Sequence, residues 1–317
     1  MINLLILLAM PEAVRTQYRD RLAARFPEIN VTLVDHHSKV APHIATADAL
    51  VTFAPMLSDH VLERAERLKW VQALGTGVDN LTDRPALRRD VIVTNVHGIH
   101  GAPVSEAAIG AMLALARDLP RAIRLQDKHQ WLRWPAQLLH NKTAGIFGIG
   151  AIAEALAPKC KAFGMQVIGV SSAPRAVTGF DRMHHMRELA GLLREIDFFV
   201  LLTPLTERTR NCIDASVFAA MKPTAFFINL ARGGVVDEAA LVAALRDKRI
   251  AGAALDVFTE EPLPVDHPFW GMDNVIITTH QGGFCDVYID HAWPTLEANM
   301  RRFLAGDFAG MINVVPH

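Results

Sequence analysis

The stretch TAGIFGIGAIA, residues Thr143–Ala153, lies near the middle of the 317-residue chain and decides its fold. It consists of an apolar run, then glycines at 148 and 150, then an alanine-rich segment that continues to Ala162. This order predicts a buried β-strand that passes through a tight turn into a helix. Short apolar runs and helix-period segments alternate on both sides of it. The sequence therefore predicts an α/β protein whose parallel strands are connected by helices.

The glycine turn itself has the spacing of a dinucleotide-binding loop. Gly148 permits the tight turn, and Gly150 removes a side chain where a pyrophosphate must approach the backbone. Ala153 is small enough for the helix to pack closely on the strand. The first helical residues, Ala151 and Ile152, offer backbone N–H groups and a partial positive charge to phosphates. We therefore predict a dinucleotide site here; the alternative is a glycine-rich turn that binds no ligand.

The strand pattern continues from this stretch toward the carboxyl terminus. Six short apolar runs, each but the last followed by a helix or a loop, predict a doubly wound nucleotide-binding sheet. These runs are Thr143–Phe147, Gln166–Val170, Phe198–Leu202, Ala225–Leu230, Gly252–Val257 and Val275–Thr279.

The amino-terminal part of the chain carries a second series of apolar runs, which predicts another open parallel sheet. A helix is expected at Pro11–Phe26, after the first of its strands. The strands are expected near Leu4–Ala9, Val31–Val34, Ala49–Phe53, Trp70–Ala73 and Val91–Asn95.

Two longer helical patterns flank the central series of strands. One follows Pro103 and covers Ala107–Ala116, and Pro120 is expected to end it or bend it. The other covers about Val287–Leu304, with Pro294 as a kink or as its true start. We expect the first helix to bridge two domains and the second to return to the amino-terminal domain.

Length and composition bound the possible functions. A chain of 317 residues predicts two domains. Its 32 Lys and Arg nearly balance 33 Asp and Glu, and no long run of like charge occurs, so we expect a small-molecule partner rather than nucleic acid or a membrane.

Cys160, Cys212 and Cys285 lack metal-ligand spacing and are expected to be reduced, buried thiols, with no metal site. The apolar segment Ile2–Met10 is too short to span a bilayer and predicts a buried strand in a cytoplasmic protein.

The residues after the second strand of the nucleotide-binding sheet bear on the choice of cofactor. An NAD-binding protein normally carries an acidic residue about 20 residues beyond the glycine turn. This chain instead has Ser171, Ser172 and Arg175 there. Two hydroxyls and a guanidinium can bind a 2′-phosphate, whereas a carboxylate would repel it. The sequence thus favours NADP(H) over NAD(H); the alternative is that Arg175 is a solvated loop residue.

Five ordered motifs resemble those of the D-isomer-specific 2-hydroxyacid dehydrogenase family, which includes glyoxylate/hydroxypyruvate reductases and phosphoglycerate dehydrogenase. The resemblance covers nearly the whole chain. The motifs are the glycine turn, LTPLT at 202–206, INLARGGVVDE at 228–238, DVFTEEPLP at 256–264 and THQGG at 279–283.

This resemblance implies a Rossmann cofactor domain inserted into a flavodoxin-like substrate domain, both with doubly wound parallel sheets. The substrate domain is expected at 1–98 plus 285–317, and the dinucleotide-binding domain at 99–284, with the active site in the cleft. The resemblance also implies a homodimer, formed mostly through the cofactor domains and the helix after Pro103.

Reduction of a 2-oxo acid needs a cation for the carboxylate and a proton donor for the developing alkoxide. Arg232 follows an apolar strand and matches the family's carboxylate-binding arginine. His280 follows the last strand and is the expected proton donor; the alternative is a structural histidine. Glu261, which directly precedes Pro262, matches the glutamate that orients the histidine and is expected to raise its pKa, with Glu260 as the competing candidate.

The resemblance assigns further binding residues. The loop Leu74–Asn80, after the fourth strand, has glycines that leave backbone N–H groups for an anion. Gly75, Thr76 and Gly77 are expected to hold the substrate carboxylate together with Arg232; the alternative is a plain turn. Residues that match cofactor-lining positions are Thr203, Pro204, Leu230, Ala231, Asp256 and Gly282.

The sequence leaves the substrate open. Where many family members have Asn-Thr-Pro-Gly, this chain has Asn95-Val96-His97-Gly98, so the pocket is expected to differ. One or two of six aromatic residues are expected to line it: Trp131, Trp134, Phe269, Trp270, Tyr288 and Trp293. We expect an oxidoreductase acting on glyoxylate, hydroxypyruvate or a bulkier 2-oxo acid. The alternative is a non-catalytic, dinucleotide-sensing binding protein of the same fold.

Overall fold

The computed structural model describes residues 1–54, 57–79 and 81–317. The chain divides into two compact units. Unit 1 comprises Met1–Ile99 and Asp286–His317, and unit 2 comprises His100–Cys285. Each unit contains a sheet of parallel strands covered by helices, so the predicted α/β class with two parallel-sheet domains is confirmed.

Unit 1 has a five-stranded sheet with the order β2-β1-β3-β4-β5, and every pairing in it is parallel. This is the flavodoxin-like order, in which ligands bind beyond the carboxyl ends of the strands. Strands β3 and β4 are buried throughout because helices cover both faces. The strands are β1 Ile2–Leu7, β2 Ile29–Val34, β3 Ala49–Thr52, β4 Trp70–Ala73 and β5 Ile92–Thr94.

The helices of unit 1 come from both ends of the chain: α1 Glu12–Arg25, α2 Ala41–Ile44, α3 Asp59–Glu63 and α10 Tyr288–Ala305. Helix α10 continues through Pro294 and ends at Gly306, whose φ of 70° is the left-handed conformation that commonly terminates helices. Pro294 therefore does not mark the start of this helix. Its place in unit 1 agrees with the expected return to the amino-terminal domain.

Unit 2 has a seven-stranded parallel sheet with the order β12-β11-β10-β9-β6-β7-β8. The prediction of six strands was wrong by one. Strand β8 consists of Arg-Met-His-His and lies at the edge of the sheet, where polar residues stay at least partly exposed. The strands are β6 Thr143–Phe147, β7 Gln166–Ser171, β8 Arg182–His185, β9 Phe198–Leu201, β10 Phe226–Asn229, β11 Gly252–Leu255 and β12 Val275–Ile277.

The helices of unit 2 are α4 Gly101–Arg117, α5 Leu119–Asp127, α6 Ala151–Ala162, α7 Leu189–Leu192, α8 Ala215–Ala220 and α9 Glu238–Arg246. Helix α4 begins earlier than expected and includes Pro103, because a proline in the first turn loses no intrahelical hydrogen bond. The break after α4 lies at Asp118, with φ of 53°, and Pro120 is the second residue of α5. Pro120 thus lies in the first turn of a new helix; it does not bend α4, which ends at Arg117.

All three cysteines are free, but only Cys160 is buried, whereas Cys212 and Cys285 are half-buried. The expectation that all three are buried was therefore wrong for two of them. Within the described ranges, no helix is long and apolar enough to cross a bilayer.

Candidate active site

The predicted cofactor and catalytic residues of unit 2 follow the ends of its parallel strands. The glycine turn follows β6, Thr203 follows β9, Arg232 follows β10 and His280 follows β12. The carboxyl ends of parallel strands lie at one edge of a sheet, so these residues share an edge. The strand order reverses between β6 and β9, which is where nucleotides bind in such sheets.

The glycine turn is held against the loop after β9. Gly148 has φ of 101°, and its N–H donates to the Val170 carbonyl over 3.0 Å. A Cβ at this position would lie 2.5 Å from the Thr203 backbone nitrogen. Ala153 is buried on the helix that follows, as the close packing of α6 on the sheet requires. Only glycine fits at position 148, and Thr203 and Pro204 are fixed beside the turn.

Gly150 and the start of α6 leave room for an anion. A Cβ on Gly150 would meet nothing within 4 Å, and Ala151 and Ile152 begin the helix with their backbone N–H groups at its positive end. The turn thus packs against the protein at Gly148 and leaves open space at Gly150, an arrangement that fits the pyrophosphate of a dinucleotide. The residues present therefore suit the cofactor that the sequence predicts.

We predict opposite effects for alanine at the two glycines. Gly148→Ala should destabilise the fold by about 2–4 kcal/mol, because the new methyl group meets backbone and φ is unfavourable. Gly150→Ala should leave the melting temperature nearly unchanged but weaken dinucleotide binding, because its methyl group would enter the predicted phosphate site. Thermal unfolding and fluorescence titration with NADPH measure both. Equal melting temperatures for the two variants would contradict this account.

Arg232 lies in a loop whose backbone is held by hydrogen bonds to the buried side chain of Asn229. The Asn229 Oδ1 accepts from the Ala231 N–H over 3.0 Å, and its Nδ2 donates to the Arg232 carbonyl over 3.1 Å. The Arg232 Nη1 donates to the Ala231 carbonyl over 2.6 Å. Asn229 is the last residue of β10, so the sheet itself fixes the base of the arginine.

The Arg232 loop packs directly on the turn that carries Glu261. A Cβ on Gly233 would lie 1.9 Å from the carbonyl carbon of Phe258 and 2.2 Å from the Thr259 nitrogen. The two backbones can approach this closely only because residue 233 is glycine. Gly233, in the same motif as Arg232, thus allows the Arg232 loop to lie against the turn that carries Glu261.

Glu261 and His280 form a hydrogen-bonded pair. The Glu261 Oε2 lies 2.7 Å from the His280 Nδ1, and its Oε1 accepts from the Phe258 N–H over 2.9 Å. The exposed fractions of the two side chains are 30% and 38%, so the pair remains accessible from solvent. The competing candidate, Glu260, is exposed and has no such contact with His280.

The Glu261 carboxyl is held in its ionised form. Burial acts to raise its pKa, but the hydrogen bond and charge of His280, the Phe258 N–H and the charge of Arg232 outweigh burial, so the pKa lies below the ordinary value. This group therefore contributes stability that is present above its unfolded-state pKa and is lost as the pH falls through the lowered value. At neutral pH it acts only as an acceptor, which keeps a proton on the Nδ1 of His280.

Asp256 fixes the loop that presents His280. Its carboxylate is 3% exposed and accepts from the Thr278 hydroxyl over 2.5 Å and from the Gln281 and Gly282 N–H groups over 2.8 Å each. Its carbonyl accepts from the His280 N–H over 2.8 Å, and His280 has φ of 55°. The carboxylate that was predicted to line the cofactor therefore also sets the direction of the imidazole.

The other predicted cofactor residues lie at the same edge. Leu230 and Ala231 directly precede Arg232, and the Ser171 hydroxyl at the end of β7 accepts from the Ala173 N–H over 3.2 Å. The guanidinium of Arg175 forms an ion pair with Glu154 on α6. Arg175 is thus an exposed loop residue with a surface ion pair, which is compatible with the alternative interpretation of a solvated loop residue.

Two arginines that the sequence patterns do not indicate lie near Ser172. A cavity of ≈ 560 Å³ is lined by Ser172, His185, Met186, Arg187 and Arg208. Arg187 follows β8 and Arg208 lies in the loop after β9, so only the strand order brings them together. No motif could have indicated them, because the sequence does not show that β8 pairs beside β7.

The predicted carboxylate-binding loop belongs to unit 1 and follows β4. Thr76 donates from its hydroxyl to the Val96 carbonyl over 2.9 Å, and the Gly75 carbonyl accepts from the Val96 N–H over 3.2 Å. The loop is therefore an ordered turn against the segment after β5. The predicted stretch ran to Asn80, which lies outside the described residues.

The six candidate aromatic residues differ widely in environment. Trp131 is 92% exposed, whereas Phe269 and Tyr288 are buried in the cores of units 2 and 1. Trp134 packs against the Arg121 guanidinium, 4.7 Å from its ring centroid. Within the described residues, no group of three or more His, Cys, Asp or Glu side chains is arranged to hold a metal ion.

Comparison with known proteins agrees with this geometry. The profile described as "D-isomer specific 2-hydroxyacid dehydrogenase, NAD binding domain" matches residues 109–282. The chain belongs to this family. The resemblance that five motifs indicated is thus confirmed, and the chain is a member of a family of NAD(P)-dependent 2-hydroxyacid oxidoreductases.

Individual relatives span different shares of the chain. A D-3-phosphoglycerate dehydrogenase of Methanocaldococcus jannaschii is 36% identical over 86% of this chain, which spans about half (53%) of that relative. A glyoxylate reductase of Pyrococcus furiosus is 35% identical, over 77% of this chain and 75% of the relative. The structure of an NADPH-dependent glyoxylate/hydroxypyruvate reductase of Sinorhizobium meliloti, in complex with NADP and sulfate, is 29% identical, with a TM-score of 0.82 over 99% and 98% of the two chains.

Proposed function

We propose that this protein transfers a hydride between NADP(H) and a small 2-oxo or 2-hydroxy acid of the glyoxylate or hydroxypyruvate class. The observation that carries the proposal is the Glu261–His280 pair, at 2.7 Å, on the same sheet edge as Arg232 and the glycine turn. Relatives named as glyoxylate reductases support the substrate class. Purified protein is tested with a panel of 2-oxo acids and both reduced nicotinamides, by loss of the nicotinamide absorbance.

The chain's own residues supply recognition and proton transfer. The bound nicotinamide supplies the hydride. Arg232 holds the substrate carboxylate, because a planar guanidinium matches the two carboxylate oxygens. His280 gives a proton from Nε2 to the alkoxide oxygen that forms on the substrate. Glu261 accepts from Nδ1, fixes the ring and balances the positive charge of the imidazolium before the proton leaves.

Further binding residues are proposed from their position. Gly75, Thr76 and Gly77 bind the carboxylate of the same substrate class through backbone N–H groups. Gly148, Gly150, Ala151 and Ile152 hold the pyrophosphate. The remaining cofactor contacts come from Thr203, Pro204, Leu230, Ala231, Asp256 and Gly282. The predicted domain at 1–98 plus 285–317 binds the substrate, and the predicted domain at 99–284 binds the cofactor.

A preference for NADP(H) is supported by the charges around the end of β7. Ser171 and Ser172 offer hydroxyls, and the cavity beside Ser172 is lined by Arg187 and Arg208. Among the described residues, neither of these arginines forms an ion pair, whereas Arg175 is paired with Glu154. We propose that Arg187 and Arg208 contribute to holding the 2′-phosphate, together with Arg175 when Glu154 releases it. The NADP complex of the S. meliloti relative agrees with this preference.

Ser171→Asp is predicted to shift the preference toward NADH. The new carboxylate stands at the end of β7, where it repels a 2′-phosphate and accepts from a ribose 2′-hydroxyl. The ratio of kcat/KM for NADPH to that for NADH should fall about tenfold or more, which corresponds to about 1.4 kcal/mol. Ser171→Ala is the control, since it removes the hydroxyl without adding charge. A ratio that is the same in both variants would refute the proposed preference.

We also propose that the protein is a cytoplasmic homodimer. Several large apolar side chains are exposed on α5 and on the segment after it: Leu119, Ile123, Trp131, Leu132 and Leu138. Exposed apolar surface of this extent is typical of an interface. Three free cysteines agree with a reducing compartment.

A further inference from the structure

A hydrogen bond joins Tyr288 to the carboxylate-binding loop, although the two are far apart in sequence. Its hydroxyl donates to the Leu74 carbonyl over 2.6 Å, across 214 residues of sequence. Tyr288 is 4% exposed, and its ring lies 5.9 Å from that of Phe53, which itself contacts the position of a Cβ on Gly75 at 3.7 Å. Tyr288 is thus buried, and its neighbour Phe53 packs against the loop.

The bond is the first of three that hold consecutive carbonyls of the loop. The Leu74 carbonyl accepts from Tyr288, the Gly75 carbonyl from the Val96 N–H over 3.2 Å, and the Thr76 carbonyl from the Asn95 side chain over 2.7 Å. In a trans peptide the C=O and the following N–H point in opposite directions. Each anchored carbonyl therefore directs the next N–H away from its anchor.

The N–H that Tyr288 directs is that of Gly75. Within residues 1–54, 57–79 and 81–317, no protein acceptor takes the N–H of Gly75 or of Gly77. A buried hydroxyl that holds the Leu74 carbonyl therefore keeps the Gly75 N–H turned outward and ready for a ligand. Successive N–H groups aimed in this way bind anions without a charged side chain.

We propose that Tyr288 is a positioning residue for substrate binding, whose hydroxyl aims the Gly75 N–H at the substrate carboxylate. The inference rests on the proposed function of the loop and adds a residue that no motif contains. Tyr288 does not touch the substrate. Loss of its hydroxyl frees the Leu74–Gly75 peptide to rotate, which weakens carboxylate binding while the nicotinamide site in unit 2 remains intact.

The experiment uses the full chain and the chain's other tyrosine as a matched control. Tyr18, on helix α1, is also buried in unit 1, so Tyr18→Phe removes the same atom at a comparable depth. Binding of oxalate, a non-reducible dicarboxylate, is measured by calorimetry in the presence of NADP. We expect Tyr288→Phe to raise the Kd for oxalate and the KM for glyoxylate about tenfold, with the KM for NADPH and kcat changed less than twofold.

Four outcomes decide the inference. An unchanged oxalate Kd in folded Tyr288→Phe, or an equal weakening in Tyr18→Phe, overturns it. Should Tyr288→Phe not fold, Asn95→Ala releases the neighbouring Thr76 carbonyl, and an unchanged oxalate Kd in that variant overturns the anchoring account. If the parent protein reduces no 2-oxo acid yet Tyr288→Phe still weakens oxalate binding, the proposed function fails while the role of Tyr288 stands.

Discussion

His280→Ala is expected to lower kcat/KM for 2-oxo acid reduction by about 10²–10⁴-fold, the usual contribution of a positioned acid. The alkoxide that forms on hydride transfer would then have to take its proton from water. NADPH affinity should change little, because the glycine turn and the start of α6 do not depend on the imidazole. Steady-state kinetics and NADPH titration measure the two quantities.

The Glu261–His280 contact supplies the controls for this prediction. Glu261→Gln retains an acceptor oxygen for Nδ1 but loses the charge that stabilises the imidazolium, so its rate should fall between those of the parent and His280→Ala. His291→Ala changes an exposed histidine on α10 and should leave kcat/KM unaltered. Parent-like turnover in His280→Ala would remove the histidine from the mechanism.

The fold could be predicted where local patterns and tertiary structure agree. Strand β6 begins and ends at the predicted residues, because an apolar run stops at a glycine that no other residue can replace. Strand β8 could not be predicted, since its polar sequence is tolerated only at the sheet edge. The sequence predicts that the helix begins after Pro103, but Pro103 lies within its first turn, where a proline is also accepted.

The site was predictable to the extent that its residues follow strands. Arg232 and His280 each come shortly after an apolar run, so the shared sheet edge follows from parallel topology alone. Two other contacts could not be predicted from the sequence. Neither the ion pair of Arg175 with Glu154 nor the hydrogen bond of Tyr288 to Leu74 has a local signal, because each depends on side chains that meet only after the sheets have formed.

Arg232→Ala is expected to lower kcat/KM for a 2-oxo acid by about 10²–10⁴-fold, because loss of a charged, hydrogen-bonded partner costs about 2–5 kcal/mol. Arg232→Lys keeps the charge but loses the planar fork, so it should recover only part of the rate. Arg249→Ala, an exposed arginine after α9, is the control. NADPH affinity should remain close to that of the parent in all three variants.

A neutral substrate separates carboxylate binding from a structural role of Arg232. The parent should reduce pyruvate far faster than its methyl ester, because only the acid offers two anionic oxygens to the guanidinium. In Arg232→Ala this discrimination should largely disappear, with the ester reduced at nearly the parent rate. If both substrates lose rate equally, Arg232 acts instead by shaping its loop or through the charge it places near Glu261, which lowers the pKa of that carboxyl. The ratio of acid to ester therefore identifies the group that the guanidinium holds.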